Sequence, residues 1–340
     1  MNLLLNNPEI YNKGDQAVWK GRIDGHDREW MRWHQLMDCV DLLEQPDLRQ
    51  SVAFLGCCSD EGVGRNQGRV GAKDGPTALR SVLTNLPVHF SDKLKLKDCG
   101  DILLKDSDLE LSQQGLGAAL NCILEQEGFP VILGGGHEIT YGHYLGVKEF
   151  LKSRNQSLGI INLDAHLDIR ALQDGKGNSG TGFYQIEQDQ SNAGLPFHYL
   201  AIGIQEISNT KGLLAYAKEK NVQIIARESL VLEKLDFIRD TIVRFAKSVD
   251  YVYLTVDLDA FAAAYAPGVS ALAFNGIVPD HLFFTIYDIL LDLPNVKSVD
   301  FAEFNPHFDI DSRTAKLTAD LIFKLINKLA IKFDQQLPSR

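Results

Sequence analysis

Short apolar runs alternate with longer amphipathic segments along most of the chain after residue 50. Most of the apolar runs lack polar alternation, which is typical of strands covered on both faces; they lie at 51–56, 130–134, 158–164, 197–203, 222–226, 251–257 and 296–302. Helical spacing of apolar residues occurs between them, near 76–86, 110–127, 139–153, 208–220, 228–248, 280–292 and 313–332. Strands that alternate with helices in this way predict an α/β fold with one parallel sheet and helices on both sides.

The pattern runs without a Pro/Ser-rich linker, a composition break or an internal repeat. Its 340 residues would accommodate two domains of about 150 residues or one large α/β domain. We therefore expect a single domain over residues 51–335. The less regular residues 1–50 are expected to form an N-terminal extension that packs on this domain.

The charge balance disfavours nucleic acid as a partner. The chain has 34 basic and 45 acidic residues, a net charge of −11, which would repel phosphate backbones unless a basic patch were present. Lys93, Lys95 and Lys97 are the closest candidate, but their alternation with other residues indicates a solvated strand face. Metal ligands could account for much of the acidic excess.

No segment predicts export or membrane insertion. The first residues lack the basic region, apolar core and cleavage site of a signal peptide, and no stretch approaches about 18 uninterrupted apolar residues. The five cysteines are few and odd in number, which favours reduced thiols. We expect a cytoplasmic protein that acts on a small molecule, with homo-oligomerisation left open.

Metal-competent side chains follow three of the predicted strands. One apolar run ends in Asp164, followed by His166 and Asp168, and another ends in Asp257, followed by Asp259. Residues two apart on a strand point the same way, and ligands of open parallel sheets collect at the carboxyl ends of strands. An extended chain from Asp164 to Asp168 would span about 13 Å, so one site can use both only if the chain turns.

A third strand leads through three glycines to His137, which completes a set of two imidazoles and four carboxylates. One cation needs fewer ligands, whereas two divalent cations about 3.5–4 Å apart need bridging carboxylates. Oxygen-rich ligation with some imidazole favours Mn²⁺ over zinc. The sequence therefore predicts a two-metal site.

Each motif alone also fits simpler interpretations. A single D-x-D after a strand can be a loop cap or a nucleotide-sugar site, and the glycines before His137 could form an ordinary tight turn. Of the other histidines, His143 and His198 are expected to be packed in the core, and His307 to be a loop residue without a partner.

Four motifs together resemble those of the ureohydrolases, the family of arginases, agmatinases and formimidoylglutamases. They are GGGHEIT, LDAHLDIR, VDLDAF and DFAEFNP, preceded by a Gly-rich segment over 60–80. The resemblance covers about residues 51–331 and the motifs occur in family order. It implies a three-layer αβα, arginase-like fold with a mostly parallel sheet, and a binuclear Mn²⁺ centre in a catalytic domain over 51–335.

The resemblance also implies roles for individual residues. His137 and Asp168 would bind one Mn²⁺, His166 and Asp259 the other, and Asp164 and Asp257 would bridge both. Glu303 matches the glutamate that holds the amidine nitrogens of the substrate, a role that suits a carboxylate at a strand end. Asp168 would in addition orient the hydroxide nucleophile and pass its proton to the leaving amine.

Two positions favour the formimidoylglutamases within the family. Arg170 stands where guanidine hydrolases tend to have smaller or neutral residues, and an arginine suits an acidic substrate. Ser179 stands where guanidine hydrolases place a histidine, although Gly182 departs from the usual proline. The expected reaction is hydrolysis of N-formimidoyl-L-glutamate to L-glutamate and formamide, a step of histidine degradation. A guanidine hydrolase, such as an agmatinase or guanidinobutyrase, and a catalytically silent subunit remain alternatives.

Overall fold

The computed structural model describes residues 2–336, which form a sheet and its flanking helices. The strands are β1 Tyr11–Asn12, β2 Met37–Cys39, β3 Ser51–Cys58, β4 Lys95–Leu103, β5 Phe129–Leu133, β6 Leu158–Leu163, β7 His198–Ile204, β8 Gln223–Ala226, β9 Tyr251–Asp257 and β10 Val296–Ala302. The helices are α1 Asn2–Asn6, α2 Trp33–Leu36, α3 Glu61–Arg65, α4 Gly75–Leu83, α5 Leu109–Glu125, α6 Ile139–Leu151, α7 Gly182–Asn192, α8 Lys211–Glu219, α9 Leu235–Lys247, α10 His281–Asp292 and α11 Arg313–Gln336.

All of these strands belong to one sheet. Its order is β1-β4-β3-β5-β10-β9-β6-β7-β8, and β2 also pairs with β4. Every pairing is parallel except that between β1 and β4. The prediction of a mostly parallel sheet is confirmed.

Alternate residues of the central strands enter two separate cores. Phe54 of β3 packs with side chains of α4, α9, α10 and α11. Its neighbours Ala53 and Leu55 pack on the opposite face, with side chains of α5, α6, α7 and α8. Successive residues of these strands point to opposite faces, and both faces are covered by helices. The strands therefore need apolar residues at every position, which explains why the apolar runs show no polar alternation. The result is the expected three-layer αβα arrangement.

Residues before position 50 contribute to the same sheet. The short strands β1 and β2 both pair with β4, and Trp19 and Trp33 are buried in the core beside β3. The indole N–H of Trp19 donates a 2.6 Å hydrogen bond to Asp98. The division at residue 50 stays a prediction.

Asp98 and Asp101 of β4 are held by Arg80 of α4. The guanidinium donates two hydrogen bonds to Asp98, of 2.8 and 2.9 Å, and one of 2.7 Å to Asp101. Arg80 and Asp98 are buried, at 2% and 1% exposure of their side chains. This ion pair links helix α4 to the sheet near the N-terminal segment.

Some elements differ from the sequence prediction. The strand β4 begins at Lys95, within the predicted Lys-rich strand face, and continues beyond that face to Leu103. Lys97 on this strand pairs with Asp38. Helix α7 was not predicted, because its buried stripe mixes Phe183 and Ile186 with the polar Glu187. No helix in the part of the chain that the structure describes is long and apolar enough to cross a membrane.

Candidate metal centre and substrate cavity

Four adjacent strands end at the candidate site. In the order of the sheet they are β5, β10, β9 and β6, and all run parallel. Their carboxyl ends therefore meet at one edge, where ligands of such sheets collect. The carboxyl ends of these strands and the segments that follow them carry all of the predicted metal ligands and Glu303.

The first ligand set surrounds the imidazole of His137. Its Nδ1 lies 2.9 Å from a carboxylate oxygen of Asp168, 3.0 Å from one of Asp257 and 3.4 Å from one of Asp164. One ligand atom from each of these residues lies within 4.8 Å of all the others. The opposite ring nitrogen, Nε2, lies 3.0 Å from the Thr255 hydroxyl.

The second set shares Asp164 with the first. Asp164, His166 and Asp259 also offer ligand atoms that lie within 4.8 Å of one another. The His166 Nδ1 is 3.3 Å from an Asp259 oxygen, whose partner oxygen Oδ1 is buried with no hydrogen-bond partner among the described residues. Asp257 belongs to the first set and accepts a 2.8 Å hydrogen bond from the Asp259 N–H. Bridging by Asp257 stays a prediction.

The chain turns after His166, as a shared site requires. Asp168 has φ +48°, in the left-handed region, and its carbonyl accepts the N–H of Phe183 at the start of α7. Side chains with polar groups tolerate this region better than β-branched ones. The turn brings Asp168 back to the ring of His137 instead of leaving it extended from the strand.

The carboxylates of the site repel one another strongly. Burial, with the charges of Asp259 and Asp164, raises the pKa of Asp257 well above its ordinary value. Burial also raises the pKa of Asp259 to about 7, against the opposing charge of His166. At His137, burial lowers the pKa, but the Asp257 charge and the hydrogen bonds of the aspartates outweigh it and raise it. Such a cluster favours a cation in its midst, and its oxygen-rich donors fit Mn²⁺.

Glu303 lies beside the first ligand set at the end of β10. Its φ is +65°, and its backbone N–H donates a 2.8 Å hydrogen bond to the Gly135 carbonyl. One carboxylate oxygen accepts the His137 N–H at 2.8 Å, and Oε2 is buried without a hydrogen-bond partner among the described residues. Burial, with the charges of Asp257 and Glu138, raises its pKa. Glu303 therefore keeps one oxygen free to accept an N–H.

A cavity of about 320 Å³ opens above these side chains. It is lined by seven of the predicted site residues, which are His166, Asp168, Arg170, Ser179, Asp257, Asp259 and Glu303. Arg170 is exposed, whereas Ser179 is 8% exposed. His137 and Asp164 lie beneath, at 1% and 0% exposure.

The loop after β3 supplies cavity residues that the sequence did not single out. The amide of Asn66 accepts a 2.9 Å hydrogen bond from Arg170 and donates one of 3.0 Å to the Ser179 hydroxyl. Arg69 lines the same cavity. Both residues lie in the Gly-rich segment 60–80, but a loop has no periodicity from which the direction of a side chain could be predicted.

The other histidines lie outside the cavity. His143 is buried between Asp300 and Ser298, at 2.7 and 2.8 Å, as expected for a core residue. The expectation for His198 was wrong, because it begins β7 half-buried and lines a cavity of about 500 Å³ near the amino ends of the strands. The expectation for His307 was also wrong, because its Nε2 lies 2.7 Å from a carboxylate oxygen of Asp74.

The larger cavity near His198 contains none of the predicted ligands. We therefore identify the functional site by its metal-competent side chains and not by cavity volume. It is the smaller cavity, with the two ligand sets in its floor.

Comparison with known proteins agrees with this geometry. Residues 50–327 match the model of the arginase family. The chain belongs to the arginase family. The two ligand sets around Asp164 are the binuclear metal site of that family.

Within the family, curated relatives match along nearly the whole chain. A formimidoylglutamase of Clostridium tetani is 39% identical over 328 residues, which cover 94% of this chain and 96% of the relative. A formimidoylglutamase of Geobacillus thermodenitrificans is 40% identical over 312 residues, covering 91% and 95%.

Solved structures of the family share the fold. The formimidoylglutamase of Bacillus subtilis superposes with a TM-score of 0.75 over 100% of both chains, at 22% identity. Trypanosoma cruzi formiminoglutamase, solved with Mn²⁺, gives a TM-score of 0.71 at 25% identity, covering 84% of this chain and 94% of that one. The fold of the chain is therefore arginase-like.

Proposed function

We propose that this protein hydrolyses N-formimidoyl-L-glutamate to L-glutamate and formamide, with two Mn²⁺ per chain as cofactor. The choice of substrate rests on the position of Arg170. This cation lies at the rim of a cavity whose floor holds the metal-competent carboxylates. The similarity to formimidoylglutamases over more than nine-tenths of the chain supports the same choice. The Mn²⁺ reported for the Trypanosoma cruzi structure supports the metal.

The proposed ligands follow the two sets, which share Asp164. His137 and Asp168 would hold one cation and His166 and Asp259 the other. Asp164 would serve both cations, and we propose the same for Asp257, which belongs to the first set. When bound, two such cations supply a hydroxide nucleophile near neutral pH and stabilise negative charge that develops on the substrate.

The remaining chemistry falls to protein carboxylates. The free Oε2 of Glu303 accepts N–H bonds from the amidine and so orients the formimidoyl carbon toward the floor of the cavity. Hydroxide adds to that carbon, and the bond from the carbon to the glutamate nitrogen breaks. Asp168, half-buried beside His137, takes the proton of the nucleophile and delivers it to the departing nitrogen.

Arg170 and Ser179 bind the acidic part of the substrate in this proposal. A guanidinium favours a carboxylate and disfavours the cationic arm of agmatine. The Ser179 oxygen accepts the N–H of Asn66, which leaves its own O–H free to donate into the cavity. The leaving α-amine is less basic than a lysine-like amine, so it needs less help from a general acid than a guanidine hydrolase requires.

A turnover assay of the Mn²⁺-loaded protein tests the proposal. Formimidoylglutamate, agmatine, arginine and guanidinobutyrate are compared side by side, and formimidoylglutamate is expected to give the highest kcat/KM. Faster hydrolysis of a guanidine would move the chain to the guanidine hydrolases. No turnover of any of the four, with both cations bound, would favour a silent subunit.

Replacement of Arg170 tests how the substrate is recognised. A charge-assisted hydrogen bond contributes about 1.5–3 kcal/mol, so Arg170→Ala should lower kcat/KM for formimidoylglutamate about ten- to hundredfold. Arg239→Ala removes an arginine of α9 that pairs with Asp236, and should leave kcat/KM unchanged. An equal kcat/KM for the Arg170→Ala variant and the wild type would assign Arg170 to the solvated surface.

A further inference from the structure

The proposed substrate carries two carboxylates, but the residues considered so far include one cation to meet them. The floor of the cavity is acidic, with five carboxylates around the ligand sets. A dicarboxylate entering this cavity therefore needs positive charge for each of its acidic groups, so that neither is left unpaired beside the floor.

A second arginine, Arg69, lines the same cavity. Its backbone N–H donates to the Ser270 hydroxyl at 2.9 Å, and its Nε donates to the Ser270 carbonyl at 3.0 Å. Nη2 donates to the Val269 carbonyl, and the guanidinium lies over the Phe308 ring at 4.1 Å from its centre. These contacts fix the direction of the guanidinium, so that little ordering is needed when a ligand binds.

The fixed guanidinium keeps unused donors. Nη1 of Arg69 makes no hydrogen bond with any described residue, and no described carboxylate oxygen lies within 4.0 Å of Arg69 or Arg170. Arg65, the last residue of α3 just before this loop, by contrast pairs with Glu61 and Glu110. In a chain with 45 acidic residues, two cations at one cavity that form no ion pair with any described residue are available for an anionic ligand.

The loop that contains Arg69 also positions Arg170. Asn66 of this loop bonds to Arg170, and Arg69 follows three positions later. The loop is anchored from below, because buried Glu138 accepts hydrogen bonds from the Ser59 hydroxyl at 2.9 Å and from the Gly62 N–H at 3.1 Å. Asn305 donates to the carbonyls of Arg69 and Val70. The relative positions of the two guanidinium groups are therefore set before substrate arrives.

We propose that Arg69 and Arg170 form a dicarboxylate clamp in which each guanidinium binds a different carboxylate of the substrate. The inference rests on the proposed function for the identity of the substrate. Arg69 is thus a specificity-determining residue that selects a glutamate derivative over a monocarboxylate.

Two analogues, each lacking one carboxylate, separate the two contacts. N-formimidoyl-4-aminobutyrate lacks the α-carboxylate and N-formimidoyl-2-aminobutyrate lacks the γ-carboxylate. We expect Arg69→Ala to lower kcat/KM for formimidoylglutamate about ten- to hundredfold and to cause no further loss with one of the analogues. Arg170→Ala should likewise lower kcat/KM for formimidoylglutamate but cause no further loss of kcat/KM with the other analogue. Arg69→Lys should recover part of the loss, because it keeps the charge.

The results that overturn the clamp are distinct. An equal loss with all three substrates would mean that Arg69 only supports the loops through Ser270 and Val269. No loss with any of them would leave Arg69 without a role in binding. If neither variant lost kcat/KM with the same analogue, both arginines would bind the same carboxylate of the substrate.

A binding measurement keeps the clamp testable if the proposed function fails, that is, if the Mn²⁺-loaded wild type does not hydrolyse formimidoylglutamate. Titration calorimetry with glutarate and butyrate then compares a dicarboxylate with a monocarboxylate on the same protein. Preference for glutarate in the wild type, lost in Arg69→Ala, supports the clamp. Equal affinity for glutarate and butyrate in the wild type overturns it.

Discussion

The hydroxyl of Thr255 lies on the side of His137 that faces away from the carboxylates. The imidazole Nδ1 faces Asp168 and Asp257, and Nε2 lies 3.0 Å from Thr255 Oγ1. When Nδ1 binds a cation, the ring proton resides on Nε2 and is donated to this hydroxyl. Thr255 is fully buried on β9, so bulk solvent does not compete for this contact. It therefore fixes both the tautomer and the orientation of the ring.

Thr255→Val should weaken binding of Mn²⁺ about 10- to 100-fold, because partners of ligating histidines contribute by that amount. The substitution removes the hydroxyl and keeps the branched shape. Thr318→Val is a matched control, since among the described residues the buried Thr318 hydroxyl bonds only to the Thr314 carbonyl of its own helix. Titration of the metal-free protein with Mn²⁺ measures both variants. Equal affinity of the Thr255→Val variant and the wild type would contradict the role.

The positions of the proposed metal ligands could be predicted at the scale of residues, but the positions of their partners could not. Asp164, His166 and Asp257 follow uninterrupted apolar runs, so their place at strand ends follows from the hydrophobic pattern. Asn66 and Thr255 lack such a signal. Thr255 occupies an ordinary position in a buried strand, and Asn66 meets Ser179 across 113 positions of sequence. Contacts at that separation depend on how the elements pack.

The loop between β3 and α4 is the element that connects the cavity to the sheet. Through Asn66 it fixes Arg170 and Ser179, which come from a different part of the chain. Loops that a rigid scaffold positions commonly carry specificity in this way.

Asn66→Ala should release both side chains and lower kcat/KM for formimidoylglutamate about tenfold, mainly through KM. The estimate corresponds to about 1.4 kcal/mol, just below the range of about 1.5–3 kcal/mol for hydrogen bonds with one charged partner. Lys73→Ala, an exposed change further along the same segment, is the control. Steady-state kinetics decides the outcome, and an unchanged KM would show that Arg170 holds its position without Asn66.

Strands and helices could be predicted where the pattern of apolar residues is regular. The buried strands β3, β5, β6, β9 and β10 lie within about two residues of the apolar runs. The two- and three-residue strands β1 and β2 are too short to show any period, and they depend on pairing with β4. Helix α7 buries Glu187 and Gln190 on its inner side, which hides its apolar stripe.

Arg80 is the element-scale contact with the largest expected effect on stability. Arg80→Met removes one partner of a buried ion pair and leaves the Asp98 charge uncompensated, which costs about 3–5 kcal/mol. The free energy of unfolding should fall by that amount in urea denaturation. Arg154→Met breaks an exposed pair with Glu125 and should cost under about 1 kcal/mol. Similar losses for the two variants would mean that Arg80 gains its stability from packing of its stem alone.

At the scale of the whole molecule, the site lies at the centre of the sheet. The strands β5, β10, β9 and β6 are consecutive in the sheet, and each continues into both cores. Global unfolding therefore separates the ligand sets, and binding of cations to the folded state must stabilise the entire chain. Burial and the neighbouring carboxylates raise the pKa values of Asp257 and Asp259, and a bound cation favours their ionised forms, which adds to this coupling.

Removal of divalent cations should therefore lower the melting temperature. At a free Mn²⁺ concentration of about 100 times Kd, one bound cation contributes about 2.7 kcal/mol. With an unfolding entropy of about 2.1 cal/mol/K per residue, this corresponds to about 4 °C for a chain of this length. Calorimetry of the chelated protein, before and after Mn²⁺ is restored, measures the shift. Asp257→Asn, which removes one charged ligand from the set around His137, should reduce the shift, whereas a melting temperature that is independent of Mn²⁺ in the wild type would contradict cation binding at the strand ends.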